Sequence, residues 1–228
     1  MPEPFDFAQK IALVAGGTGG LGGLIAAELR ARGCIVTTVS RSHSSDTAHI
    51  SADLRSPDAI SAVMSSLVER HGALDIVINA MGVVAFGPLD ATSIDTIEEL
   101  FLTNTFAHIF LMKEALKCAR QGSVLVGISG VIAEQNLPDM ATYGASKAAV
   151  RSFNEALTRE ARRSGVRVID ARPPHTETGL ASRAIAGDPP KMPAGLAPIK
   201  VAQRIVQAIA DGETDLPSTA FSDGLIAN

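Results

Sequence analysis

The stretch "GISGVIAEQNLPDMATYGASK", residues 127–147, ends with Tyr143 and Lys147 four positions apart. On a helix that spacing puts both side chains on one face, so both can point into the same cleft. An isolated tyrosine titrates near about 10, and an ammonium beside it stabilises the phenolate and shifts it toward working pH. The two residues therefore look like a catalytic pair. Tyr143 is also the single tyrosine of the chain. A purely structural tyrosine could sit anywhere, so its place here favours chemistry over packing.

Elements that could position such a pair are legible on both sides of it. Apolar runs at 11–15, 35–39, 74–79, 123–129 and 166–171 read as buried strands, and a further short strand is expected before Asp53. Helical periodicity covers 21–32, 57–70, the long region 94–120, 143–164 and 199–210. Strands separated by helices of that length need crossover connections, which predicts an α/β, doubly wound parallel sheet with helices on both faces.

Composition limits the rest. With 46% hydrophobic and 19% charged residues, the 228-residue chain suits one compact domain spanning 1–228. The Pro- and Gly-rich segment 186–198 reads as part of a substrate-side loop over 179–198, since the thirty residues beyond it are too few for a second domain. A net charge of −4 with scattered arginines argues against nucleic acid or a membrane surface as partner. No apolar stretch is long enough to span a bilayer, and the opening MPEPFDFAQK lacks the features of a secretory signal. Cys34 and Cys118 read as small core residues, which predicts a reducing, cytoplasmic setting.

Between the first strand and the first helix lies "AGGTGGLGG", residues 15–23. It satisfies G-x-G-x-x-G through Gly17, Gly19 and Gly22, and G-x-x-x-G-x-G through Gly16, Gly20 and Gly22. Glycines at such a turn let the backbone approach a pyrophosphate, and the helix N-terminus behind it offers free N–H groups. A dinucleotide cofactor follows, held also by Thr18 and Leu21 of the same turn. At the end of the second strand an acidic residue would accept hydrogen bonds from both ribose hydroxyls and repel a 2′-phosphate. Ser40 and Arg41 stand there instead. A guanidinium that can pair with the phosphate favours NADP(H) over NAD(H). Asp53, followed by Leu54, is a candidate partner for the adenine amino group or, equally, a helix cap before Pro57.

Taken together, the glycine turn, "NAMG" at 79–82, Asn104 in "FLTNTF", the Tyr143–Lys147 pair and "PPHTET" at 173–178 resemble the short-chain dehydrogenase/reductase family over essentially the whole chain. The resemblance implies an enzyme that interconverts a carbonyl and an alcohol with NAD(P), with Tyr143 as general acid or base. It further implies that Lys147 holds the nicotinamide ribose, that Asn104 holds a water on the proton path, and that Asn79 supports the sheet and, with Ala80, Met81 and Gly82, the cofactor wall. Pro173, Thr176 and Thr178 would line the nicotinamide end, with Thr178 on the carboxamide. A homodimer through the helices of Asn104 and Tyr143 is implied, with a tetramer as the alternative. Phe106, Phe110, Phe153, Ala156 and Leu157 are candidates for that dimer contact or for ordinary core.

Two departures stand out. Pro174 occupies a position where the family usually has glycine, which stiffens the loop and removes a donor. More seriously, the family's carbonyl-polarising serine falls thirteen residues before the tyrosine, and 143 − 13 = 130 is a glycine. Ser129 is the first-ranked substitute, although strand alternation should turn it away from the cleft unless the strand end is distorted. Backbone N–H groups near Gly130 or Val131, and the side chains of Glu134, Gln135, Asn136 or His175, are the others. The competing function is therefore a catalytically impaired NADP-binding sensor or scaffold. For an enzyme, the low-charge loop with Leu180, Ile185, Met192 and Leu196 suggests a small, largely apolar substrate.

Overall fold

The computed structural model describes residues 5–222; the ends of the expected 1–228 domain lie outside the described residues. Seven strands form one sheet in the order β3-β2-β1-β4-β5-β6-β7, every adjacent pair parallel. They are β1 Ile11–Ala15, β2 Ile35–Ser40, β3 His49–Ser51, β4 Leu74–Asn79, β5 Ala119–Ile128, β6 Arg167–Ala171 and β7 Asp215–Leu216. The helices are α1 Gly20–Ala31, α2 Pro57–His71, α3 Ile94–Leu100, α4 Ala107–Cys118, α5 Ala141–Ala161 and α6 Pro198–Ala210. This is the doubly wound α/β architecture the alternation of elements predicts.

The period-two alternation of each strand divides the core. Ala12 and Val14 of β1 and Ile76 and Ile78 of β4 meet Ile25 and Leu29 of α1 and Ile205 and Ile209 of α6. Leu13 of β1, Val77 of β4 and Leu125 of β5 face the other way, onto Ile60 and Leu67 of α2, Leu111 of α4 and Leu157 of α5. Each of the Val, Leu and Ile side chains contributes about 1.5–3 kcal/mol on burial. Leu157, offered by the sequence for a dimer contact or for core, belongs to this second core layer, and Phe110 and Phe153 pack against it. Phe106 remains 48% exposed and stacks on Phe110.

One expected element is divided. Region 94–120 is α3, then a π-helical turn Phe101–Phe106, then α4 ending at Cys118, with Ala119 and Arg120 already in β5. Arg120 leaves the helix because its guanidinium reaches the buried Asp75 carboxylate at 2.7 Å and its N–H donates to the Ser123 hydroxyl. The last strand stops at Leu216, before Pro217, and β7 sits at the sheet edge, where a proline-flanked strand belongs.

Leu13 is completely buried in the central strand. Leu13→Ala should lower the unfolding free energy by about 2–5 kcal/mol, measured as a shifted denaturant midpoint with an unchanged m-value.

Candidate active site

The strand order reverses between β1 and β4, so the loops after these strands open the crevice in which open α/β sheets bind ligands. Gly16 begins the turn after β1 with φ +81, and a Cβ there would lie 2.8 Å from the Ala80 carbonyl carbon and oxygen. The turn and the β4 loop can approach this closely only with glycine at 16. Gly16 and Gly17 both donate to the Val39 carbonyl, and Ala80 donates to that of Ala15, so the three strand ends are fastened together. α1 then starts at Gly20 without a side-chain cap and without an acidic residue in its first turn, leaving its positive end unopposed. Thr178 packs against that end, its carbonyl 2.6 Å from where a Gly20 Cβ would stand. The residues at 16–22, 79–82 and 173–178, widely separated in sequence, thus meet in one crevice, and they fit a dinucleotide.

At the other end of this crevice Ser40 closes β2 and Arg41 is exposed. Leu54 is buried in the core. Asp53 is no helix cap: the Ser56 hydroxyl takes that role for α2, and the Asp53 carboxylate is paired with Arg55 at 2.6 Å. The Arg55 hydrogen bonds hold its carboxyl below the usual range.

Tyr143 and Lys147 open the buried stripe of α5, which continues through Val150, Asn154, Leu157 and Ala161 at alternating spacings of three and four. The Tyr143–Lys147 pair is therefore anchored by the same face that packs on the sheet. The π-turn Phe101–Phe106 brings two neighbours onto that helix: Asn104 Nδ2 donates to the Ser146 hydroxyl at 3.0 Å, and the Thr105 hydroxyl donates to the Ser146 carbonyl at 2.9 Å. Asn104 also exchanges hydrogen bonds with the backbone of Val83. A Cβ on Gly82 would lie 3.4 Å from both Asn104 Oδ1 and Lys147 Nζ, so these groups converge beside the β4 loop. Lys147 Nζ donates to the Ile128 carbonyl at 2.9 Å.

The Tyr143 ring lies among Val84, Ala85, Phe86, Leu100, Ile132 and Met140, with Leu180, Ala181, Ala184 and Ala186 of the 179–198 loop closing over them. Two backbone hydrogen bonds stitch that loop down, Ile185 to Val84 and Phe86 to Ala186. Of the four loop residues named from sequence, only Leu180 joins this cluster; Leu196 packs on the opposite core layer and Ile185 is exposed. The "VVAF" run at 83–86, directly after NAMG, was the overlooked signal. Among the described residues the Tyr143 hydroxyl has no hydrogen-bond partner, although no fully buried polar atom is left unpaired. It is thus free and within reach of solvent.

Burial pushes the Tyr143 phenol up to about 12 and the Lys147 ammonium down to about 8, the latter opposed by Asp170. The expected depression of the phenol by Lys147 is not found: burial alone shifts it, and the ammonium points at the Ile128 carbonyl.

Ser129 is corrected too. It is completely buried, and its single proton goes to the Asp170 carboxylate, whose oxygens lie 2.8 and 2.9 Å away. Alternation turned it from the cleft, as the strand geometry implies. The backbone substitutes are also committed: Gly130 N–H donates to Ala171 and Val131 N–H to Pro173. Glu134 is taken by Arg172 and Ser218, Gln135 and Asn136 are exposed on the loop, and the His175 ring faces Glu177 at 3.4 Å. Gly130 itself has φ +78 and ψ 163, a conformation that a serine adopts only under strain.

Asp170 ends a continuous buried chain. Asn79 accepts from the Met81 N–H and donates to His108 Nδ1 at 2.9 Å; His108 Nε2 donates to Asn154 Oδ1 at 2.7 Å; Asn154 Nδ2 donates to Asp170 at 2.9 Å. Each donor meets an acceptor only if His108 is neutral with its proton on Nε2. Burial indeed pushes its pKa down to about 4. Gly127 leaves room for the chain to pass, because a Cβ there would fall 2.3 Å from Asn154 Nδ2.

With this geometry in hand, comparison with known proteins assigns the class. The short chain dehydrogenase family model matches residues 10–188, and the chain belongs to that family of oxidoreductases. It is 32% identical over 174 residues to hydroxynaphthalene reductase arp2 of Aspergillus fumigatus, an alignment covering 70% of this chain and 63% of that relative, so it spans less than two thirds of that protein's length. Two solved short chain dehydrogenases share the fold. One, from Burkholderia cenocepacia in complex with NADP, has TM-score 0.80 and 24% identity over 94% of this chain and 98% of that one. The other, from Burkholderia phymatum in complex with NAD, has TM-score 0.82 and 19% identity over 94% and 90%.

Two outcomes follow for the site. Between pH about 6.5 and about 4 an unfolded His108 binds a proton that the folded one refuses, so stability should fall as pH drops through this window. His108→Gln should lose that part of the acid slope in denaturation curves taken at several pH values. Gly130→Ser should cost about 1–3 kcal/mol of stability, read by calorimetry, and should not raise turnover.

Proposed function

We propose that this protein is an NADP(H)-dependent oxidoreductase that interconverts a carbonyl and an alcohol on a small, largely apolar substrate, with Tyr143 as general acid/base. The observation that carries the reading is the Tyr143 hydroxyl, free at the edge of an apolar cluster while Lys147 and Asn104 converge beside Gly82. A bound nicotinamide would supply or accept the hydride. The turn 16–22 and the α1 N-terminus would hold its pyrophosphate, Lys147 its ribose, and Thr178 with Pro173 and Thr176 its ring end. Lys147, protonated below about 8, would stabilise the phenolate once a ligand draws it from the Ile128 carbonyl. Asn104, tied to α5 and the β4 loop, would keep the proton path in place.

Several observations support NADP(H) over NAD(H). Positions 40–42 carry no carboxylate, and Arg41 forms no ion pair among the described residues. The exposed Phe106 on its Phe110 stack supports a homodimer. Two unpaired cysteines support a cytoplasmic setting. A sensor or scaffold is the second reading, favoured by Gly130 and by the commitment of Ser129 to Asp170. The loss of one carbonyl-polarising donor costs about 10²- to 10³-fold in turnover, which leaves a slow enzyme rather than none.

NADPH oxidation measured against a panel of apolar ketones and aldehydes should find turnover, and Tyr143→Phe should reduce it by about 10²-fold or more while NADPH binding persists. Tight NADPH binding with no turnover of any panel member, and a Phe variant indistinguishable from the parent, would establish the sensor instead.

A further inference from the structure

His49, the first residue of β3, lies beneath the turn that follows β2. Its Nε2 is 2.9 Å from the Ser42 carbonyl oxygen and 3.3 Å from the Ser40 hydroxyl, and its Nδ1 is 2.8 Å from the Thr38 hydroxyl. A carbonyl only accepts, so Nε2 carries the proton, and the Thr38 hydroxyl donates to the bare Nδ1. One neutral tautomer satisfies every contact. Thr38 in turn abuts the glycine turn: a Cβ on Gly17 would fall 2.4 Å from Thr38 Cβ. The imidazole therefore links the pyrophosphate turn to the Ser40–Ser42 segment.

The preceding carbonyl is held as well. Ser51, the last residue of β3, donates its hydroxyl to the Arg41 carbonyl at 3.3 Å. The two ends of a three-residue strand thus draw two successive carbonyls toward themselves. The peptide bonds are trans, so in each planar unit the N–H points opposite to the C=O. The N–H groups of Ser42 and His43 consequently face away from β3, and neither donates to an acceptor among the described residues. Successive N–H groups turned the same way form an anion-binding concavity. Because the imidazole also satisfies the Ser42 carbonyl, the Ser40 hydroxyl, which donates to it at 3.1 Å, can rotate to a ligand without leaving that oxygen unpaired.

We infer that His49 is a positioning residue for cofactor choice: it locks the Ser40–Ser42 turn so that the Ser42 and His43 N–H groups, the Ser40 hydroxyl and Arg41 are offered together to a nucleotide 2′-phosphate. The inference rests on the NADP(H) reading and names the group that makes it specific. His49 touches the turn and not the phosphate.

The test compares Michaelis constants for NADPH and NADH, and calorimetric affinities for 2′,5′-ADP and 5′-AMP, in the parent, His49→Phe, His49→Gln and Ser51→Ala. His49→Phe should raise the NADPH KM and weaken 2′,5′-ADP by about tenfold, as for a lost hydrogen bond on a charged ligand. Its kcat at saturating NADPH, its NADH KM and its 5′-AMP affinity should stay within twofold. His49→Gln, which keeps a donor for the Ser42 carbonyl, should recover part of the loss. A parent that prefers NADPH while His49→Phe binds 2′,5′-ADP unchanged, or loses both nucleotides equally, overturns the inference alone. A parent without preference for NADPH overturns the cofactor reading beneath it. Should His49→Phe not fold, Ser51→Ala decides, since its release of the Arg41 carbonyl should weaken 2′,5′-ADP selectively, and no change there refutes the lock.

Discussion

A buried carboxylate must be surrounded by donors, and the demands of Asp170 organise this protein around the crevice at the strand ends. Asp170 takes the Ser129 hydroxyl, the Asn154 amide and the Arg172 guanidinium. Arg172, only 4% exposed, reaches onward to Glu134 and Asp215, and Glu134 to Ser218. One anion thereby ties the loop after β5 to β6, to β7 and to the segment beyond. In the other direction Asn154, His108 and Asn79 carry the chain of hydrogen bonds to the Met81 N–H on the loop after β4. The serine absent from the cleft is accounted for by this demand: the hydroxyl nearest the required position serves the anion, and the next residue is a glycine whose backbone turns the chain away.

The same burial that stabilises α5 against the sheet also sets the protonation of its first two inward residues. Removing water disfavours both phenolate and ammonium, so Tyr143 rises and Lys147 falls. Near neutral pH the phenol keeps its proton and the lysine is still charged.

What the sequence disclosed depended on how local the physics was. The Tyr143–Lys147 spacing, the glycine turn and the β-to-α alternation are short-range patterns, and the structure places them together as those patterns imply. The π-turn at Phe101–Phe106 was invisible, because one extra residue in a turn hardly disturbs an apolar periodicity; its cause is that Asn104 and Thr105 both bond to Ser146, about forty positions away. Ser129 could be seen to face away from the cleft but not what it faced, since Asp170 lies forty-one residues on. The raised phenol escaped for a similar reason: the spacing reveals that an ammonium is near, while the apolar shell of Val84, Phe86 and Met140 becomes visible only when the loops are folded.

The two rims of the sheet are unusually short. β3 has three residues and β7 two, the latter followed at once by Pro217. Strand edges recruit foreign chains only when they offer a run of free backbone groups long enough to zip. Neither rim does, so among the described elements the sheet offers no edge long enough for another chain to extend, and the molecule carries its own protection against fibrous growth.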